Sequence, residues 1–207
     1  ILRKELNPHV YANLESNTGM VYNEIKKFAK AIPHLKDAAQ TYLEIGSSAR
    51  HAYVNLGESY RHSNLDSAEY YYKEALKLSQ DYQVDELIYR DLTNLALVLE
   101  NKGQTSEAKS MYLRALEIAN KEENSFSEKS QLLANLSNIH ANEGNIGRSK
   151  EYAQEALKLS LKENNFELIL ASYQALSNSH EQNREYQKAL EYTNLANQYE
   201  DSILNKA

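Results

Sequence analysis

Tyr53-Val54-Asn55-Leu56-Gly57-Glu58-Ser59-Tyr60, then the turn Ser63-Asn64-Leu65-Asp66, then Ala68, Tyr72, Ala75, Leu76 and Leu78: this stretch decides the fold. Tyr53, Leu56, Gly57 and Tyr60 stand at i, i+3, i+4 and i+7, one face of a helix. The second set marks another helix, with Asp66 expected to cap it. The same double pattern returns around Gly19, Ala96, Ser137 and Ser177, so the anchors, Gly57 included, are 38, 39, 41 and 40 residues apart. A period near 40 residues with two helices in each period is the mark of a helical solenoid.

The other repeats keep the register. The first reads Thr18, Gly19, Tyr22, then Phe28, Ala31, Leu35, Ala38; the third Leu92, Leu95, Ala96, Leu99, then Gly103, Ala108, Tyr112, Ala115. The fourth reads Leu133, Leu136, Ser137, His140, then Gly144, Ser149, Ala153, Ala156; the fifth Tyr173, Leu176, Ser177, His180, then Tyr186, Ala189, Thr193, Ala196. This pattern resembles the tetratricopeptide repeat (TPR). The resemblance implies an all-α, right-handed superhelical solenoid of about five helix-turn-helix repeats, a single array over 1–207 with repeats at 8–45, 49–81, 84–122, 126–163 and 166–205. The opening Trp and closing Pro of that family are absent, and polar connectors such as Gln80-Asp81-Tyr82-Gln83 and Lys162-Glu163-Asn164-Asn165 lengthen the period. Ten helices are expected at 8–26, 28–45, 49–62, 65–81, 84–102, 105–122, 126–143, 146–163, 166–183 and 185–205, with Pro33 marking a late start near Ala31 or a kink. The small anchors let helices cross closely, so Gly57→Leu is expected to force its pair apart at about 1–3 kcal/mol.

Composition agrees with this class. Hydrophobic residues are 42% of the 207, enough for a core, while 6 Gly and 2 Pro are too few for a turn-rich β-protein. The net charge of −6 with interspersed signs, and no basic patch, excludes nucleic acid as the main partner. Having no cysteine, the chain has no disulfide, thiolate metal site or catalytic thiol. No apolar run reaches the length of a membrane span. Ile1 and Lys206-Ala207 read as the ends of an excised or processed piece.

In a stack of hairpins the first helices line one wall. Two residues before four of the five anchors stand Asn17, Asn55, Asn94 and Asn135, with Ala175 in the last repeat. A carboxamide offers the donor and acceptor that an extended peptide backbone needs. This ladder is therefore read either as a peptide clamp or as a structural feature satisfying its own neighbours. Arg61, Arg90, Asn138 and Asn178 are expected on the same wall. Some members of the family hold acidic chaperone C-termini with several Lys and Arg plus two Asn; here only Arg61 and Arg90 are available, so that clamp is incomplete. Tyr53, Tyr60, Tyr112, Tyr173 and Tyr186 are expected in the core, and of the consecutive Tyr70, Tyr71 and Tyr72 at least one outside.

No catalytic constellation emerges, and no cofactor or metal site is expected. His140 and His180 share a register position and are read as hydrogen-bonded core histidines rather than ligands. Gly144-Asn145-Ile146-Gly147 is a turn, lacking the Lys-Ser/Thr of a phosphate loop. The closing stretch Tyr199-Glu200-Asp201-Ser202-Ile203-Leu204-Asn205-Lys206 resembles the segment after the repeats of Bacteroidetes-type sensor histidine kinases and related regulators. That resemblance implies the sensory or scaffolding region of a larger signal-transduction protein, on the periplasmic side of an inner membrane. A cytoplasmic, quorum-sensing-like peptide-responsive regulator and a passive scaffold, homodimeric through the C-terminal helix, are the alternatives. In each the partner is a protein or peptide segment.

Overall fold

The computed structural model describes residues 6–121 and 125–204, with the side chains of 202–204 excepted. The side chain of Ile203 and the end of the 199–206 stretch, Asn205-Lys206, and with them the expected dimer contact, lie outside what is described. Among the described residues there are ten helices and no strand. They are α1 Pro8–Glu24, α2 Phe28–Glu44, α3 Arg50–Arg61, α4 Leu65–Tyr82, α5 Asp85–Asn101, α6 Thr105–Ala119, α7 Phe126–Asn142, α8 Ile146–Glu163, α9 Phe166–Gln182 and α10 Tyr186–Leu204. The expected positions are met within three residues at every end. The chain divides into two compact units, Ile1–Ala108 and Lys109–Ala207. In the first, α1 pairs with α2 and α3 with α4; in the second, α7 pairs with α8 and α9 with α10.

The hairpin turns follow the local residues. Within repeats, Lys26, Gly103, Gly144 and Arg184 take positive φ of 56°, 76°, 77° and 59°. The second repeat is one residue shorter here and turns without such a residue, through Ser63 and Asn64. Its cap corrects an expectation. Asn64, extended at φ −153°, accepts the Ser67 N–H at 2.9 Å, while Asp66 sits inside the first turn and accepts from Lys102 at 2.6 Å. A capping residue must precede the helical dihedrals, and Asp66 is already helical. Pro33 likewise does not delay its helix: α2 begins at Phe28 and Pro33 lies in its interior. The amide bond it cannot make to Ala29 is on the exposed side, both residues being exposed.

Small residues govern the crossings. A Cβ on Gly57 would stand 2.7 Å from Cε1 and Cζ of the Tyr72 ring, and one on Gly19 would collide with the Leu35 side chain. Where Ser replaces Gly, its hydroxyl bonds across the same gap: Ser137 Oγ donates to the Ser149 carbonyl and Ser149 Oγ to the Ser137 carbonyl, each at 2.8 Å. Ser177 Oγ reaches the Ala189 carbonyl at 3.0 Å. Around these crossings lie the cores, Leu35, Ala38, Ala52 and Leu56 in the first unit and Leu133, Ala156, Ile169 and Leu176 in the second. Tyr72 and Tyr112 are fully enclosed, Tyr173 is buried, and Tyr53 and Tyr60 are half-buried. Tyr186, expected inside, is 65% exposed, because it opens α10 one turn before the crossing. Of the tyrosine triplet, Tyr70 is the outward member.

Two polar devices tie neighbouring hairpins. Arg50 at the start of α3 forks onto Asp91 of α5 (Nη2–Oδ1 2.7 Å, Nε–Oδ2 3.0 Å), and both reach Ser79 of α4, all three buried. Along the rim, Lys102 meets Glu69, Lys109 meets Glu143 at 2.6 Å and Lys150 meets Glu185 at 2.8 Å. Glu69, Lys109 and Lys150 share one register position near the start of a second helix; their partners lie just past the end of the next first helix, Lys102 and Glu143 in register and Glu185 two positions further on.

Gly57→Ala will destabilise the chain by about 1–3 kcal/mol through overpacking on Tyr72, although alanine is the better helix former. Gly147→Ala, where nothing lies within 4 Å, will be neutral or stabilising. Urea midpoints of the two variants check the contrast.

The Lys150 ammonium, His180 and Asn183 hold the Glu185 carboxyl down at about 2, against an ordinary 4.5. A depressed carboxylate contributes stability above pH 4.5 that is lost as pH falls toward 2. The stability difference between the parent chain and Glu185→Gln, followed by chemical denaturation, will therefore shrink across pH 4.5 to 2.

Candidate partner-binding site

First helices contact one another within each unit, α1 with α3 and α7 with α9, which places the expected wall residues side by side. In the second unit Asn178 Nδ2 donates to Asn138 Oδ1 at 3.0 Å. The two hold the same register position, one residue after Ser137 and Ser177. Beside Asn178, between α9 and α10, a depression of about 200 Å³ is lined by Gln174, Ser177, Asn178, Glu181, Thr193, Ala196 and Asn197; Asn138 does not line it. Asn135, three residues before Asn138, is half-buried, and its Nδ2 is enclosed with no hydrogen-bond partner. The following repeat carries Ala175 here and offers no second carboxamide, which is why this rung does not close.

The first unit is arranged differently. Asn17 is exposed and Asn94 half-buried. Asn55 Nδ2 is turned back onto the His51 carbonyl of its own helix at 3.0 Å. Its carbonyl instead accepts from Asn23 Nδ2 at 2.8 Å and Ser59 Oγ at 2.9 Å. Asn23, which the repeat pattern did not mark, is thus the residue joining α1 to α3. Arg61 is held by Glu58 through two bonds of 3.0 and 2.8 Å, and Arg90 by Glu86 at 2.9 Å. Burial pushes the Glu58 carboxyl up, but the Arg61 and His62 contacts outweigh it and keep the group low. Both arginines are therefore neutralised within their own helices. A shallow depression of about 330 Å³ lies between Arg61, His62, Asn64 and Asn101.

The two register histidines differ. His180 is hydrogen-bonded through Nδ1 to Glu185 and stacks on Tyr192, as a core histidine should. His140 Nδ1 has no hydrogen bond and stands 3.5 Å from Glu143; burial and then the nearby Lys109 depress its pKa, so the ring stays neutral. Among the described residues no group of three His, Asp or Glu is placed to hold a metal. Among them, too, no helix is long and apolar enough to cross a membrane.

Family models described as tetratricopeptide repeat match residues 10–81, and again 92–122 and 130–163, together about two thirds of the chain. No curated protein matches. Solved structures share the fold. BtubC (BKLC) from P. vanneervenii has a TM-score of 0.78 at 17% identity, over 95% of this chain and 82% of its own. The apo quorum sensor NprR from B. thuringiensis has a TM-score of 0.79 at 17% identity, over 96% of this chain and 56% of its own. NprR in complex with its cognate peptide NprX gives 0.71 at 18% identity, over 94% and 57%. The chain thus spans little more than half of NprR's length. Ten helices, with small residues at the crossings of four hairpins, and these two family matches give one conclusion: the chain belongs to the tetratricopeptide-repeat proteins.

Proposed function

We propose that the chain is a protein- and peptide-interaction module that holds an extended segment by carboxamides on its first helices, as the sensory or scaffolding part of a larger signalling protein. The Asn138–Asn178 pair carries the binding reading. Each carboxamide has two N–H donors and an oxygen with two lone pairs, and their mutual bond uses one N–H of Asn178 and one lone pair of Asn138. Capacity remains on both, and Asn178 borders a depression rimmed by Gln174 and Asn197. A peptide backbone alternates N–H and C=O, and a fixed pair of amides can meet both without reading side chains. The enclosed Asn135 Nδ2 adds a donor whose unmet bond costs about 1–3 kcal/mol. A rotation of that carboxamide toward a bound carbonyl removes the cost.

In the first unit, Asn17 and Asn94 extend the same register, while Asn55 serves its own helix. Arg61 and Arg90, each already paired, set local charge rather than gripping a terminal carboxylate. The likeness to NprR, a quorum sensor crystallised with its cognate peptide, supports a peptide-responsive regulator as the form this module takes. The sensor-kinase alternative rests on the closing stretch 199–206, and the scaffold alternative on dimerisation through the same helix.

A linear peptide selected from a random phage-displayed library on the intact chain will lose at least tenfold in affinity on Asn138→Ala with Asn178→Ala, by calorimetry, with helicity unchanged. Asn55→Ala will leave the affinity within twofold. Equal affinity for the parent and the double variant removes the carboxamide pair from the site.

A further inference from the structure

Each of the three rungs Glu69–Lys102, Lys109–Glu143 and Lys150–Glu185 joins opposite charges on consecutive hairpins. The same two register positions recur once more without a partner in the chain. In the fifth repeat the place of Lys150 is taken by Leu190, 60% exposed. In the first repeat the place of Lys102 and Glu143 is taken by Ile25, 52% exposed. Neither carries a charge. An apolar residue at this position is already covered once within the chain. Ile32 of α2, in register with Glu69, is half-buried on the core that holds Ala52 and Leu56 of the next hairpin.

The surroundings of the two positions agree. Val10, Leu14 and Val21 share the stripe of α1 that leads to Ile25, each about half exposed. Tyr186, one turn before Leu190 on α10, is also outward.

The existing junctions show which register positions such faces bring together. Ser179 meets Ser149; Val21 is in register with Ser179, and Ala189 with Ser149. Phe28 stacks on His62; Tyr186 is in register with Phe28, and Glu24 with His62. Asp91 accepts from Ser79; Leu14 is in register with Asp91, and Glu200 with Ser79. Seating α1 of one copy on α10 of another therefore sets Ile25 on Leu190, Val21 on Ala189, and Tyr186 over Glu24. Leu14 alone meets a polar residue, the exposed Glu200.

We propose that copies of this chain join head to tail, α1 of one on α10 of the next, through an apolar Ile25–Leu190 rung in place of the charged ones. The charges favour a second copy as the occupant. A lone Lys or Glu at either position would be left unpaired where the hairpins close, and neither position holds one. Only a few half-exposed side chains are covered, so the association is weak and set by concentration. The two faces differ, so each added copy offers the same pair again, and growth passes the dimer unless a ring closes.

Sedimentation equilibrium of the 1–207 chain at rising concentration tests this. The average mass is expected to climb above that of the monomer. Ile25→Glu alone and Leu190→Lys alone are each expected to weaken association at least tenfold, with helicity unchanged. Mixing these two variants is expected to restore it, because the introduced acid and base then form a rung like Lys109–Glu143. A parent chain that stays monomeric overturns the proposal, as does a mixture that associates no better than either variant alone. So does a dimer lost on one substitution and untouched by the other, because that face then pairs with itself.

Discussion

The structure depends on how closely two helices can approach where a hairpin crosses itself. At Gly57 the approach is so tight that the Tyr72 ring occupies the volume a Cβ would need, and at Gly19 Leu35 does the same. Interiors are packed at crystal-like density, so a methyl group is felt there. The fourth and fifth repeats keep the distance with serine and recover the polar atom through hydroxyl–carbonyl bonds across the crossing. The small position is thus conserved in mechanics while its chemistry changes along the chain.

The same register position is filled in two ways by buried polar groups. In the first unit Arg50, Ser79 and Asp91 make a charged knot between consecutive hairpins. Their counterparts in the second unit are Ser130, Ser160 and Ser172, all fully buried, each bonding a main-chain carbonyl. An enclosed ion pair adds little net stability but makes the loss of either partner expensive, about 3–5 kcal/mol. The knot therefore sets the register between hairpins more than it adds stability, and the serines allow the same closeness without a charge.

Helix positions and repeat register were legible because hydrophobic periodicity is a local signal. What escaped was long-range or depended on dihedrals. Asp66 looked like a cap because capping residues are read by type, whereas Asn64 holds the extended backbone that capping requires. Pro33 lies inside α2 on its exposed side, where the lost bond to Ala29 leaves no buried group unpaired. The Arg50–Asp91 knot joins residues 41 positions apart, and no short motif announces it. The asparagine wall was visible as a pattern, but pattern alone does not distinguish the amide that turns inward, Asn55, from the pair that meets across repeats, Asn138 and Asn178.

A wall of amides is useful only if successive hairpins hold it rigid, so the binding reading rests on the crossings. The most direct measurement is a double-mutant cycle between Gly57→Ala and Tyr72→Leu, read as unfolding free energies. If the ring is what forbids a Cβ at position 57, trimming it will relieve most of the alanine's cost, and the two changes will be coupled by about 1 kcal/mol or more. Strict additivity would contradict the account, because the close crossing would then not be what keeps residue 57 a glycine.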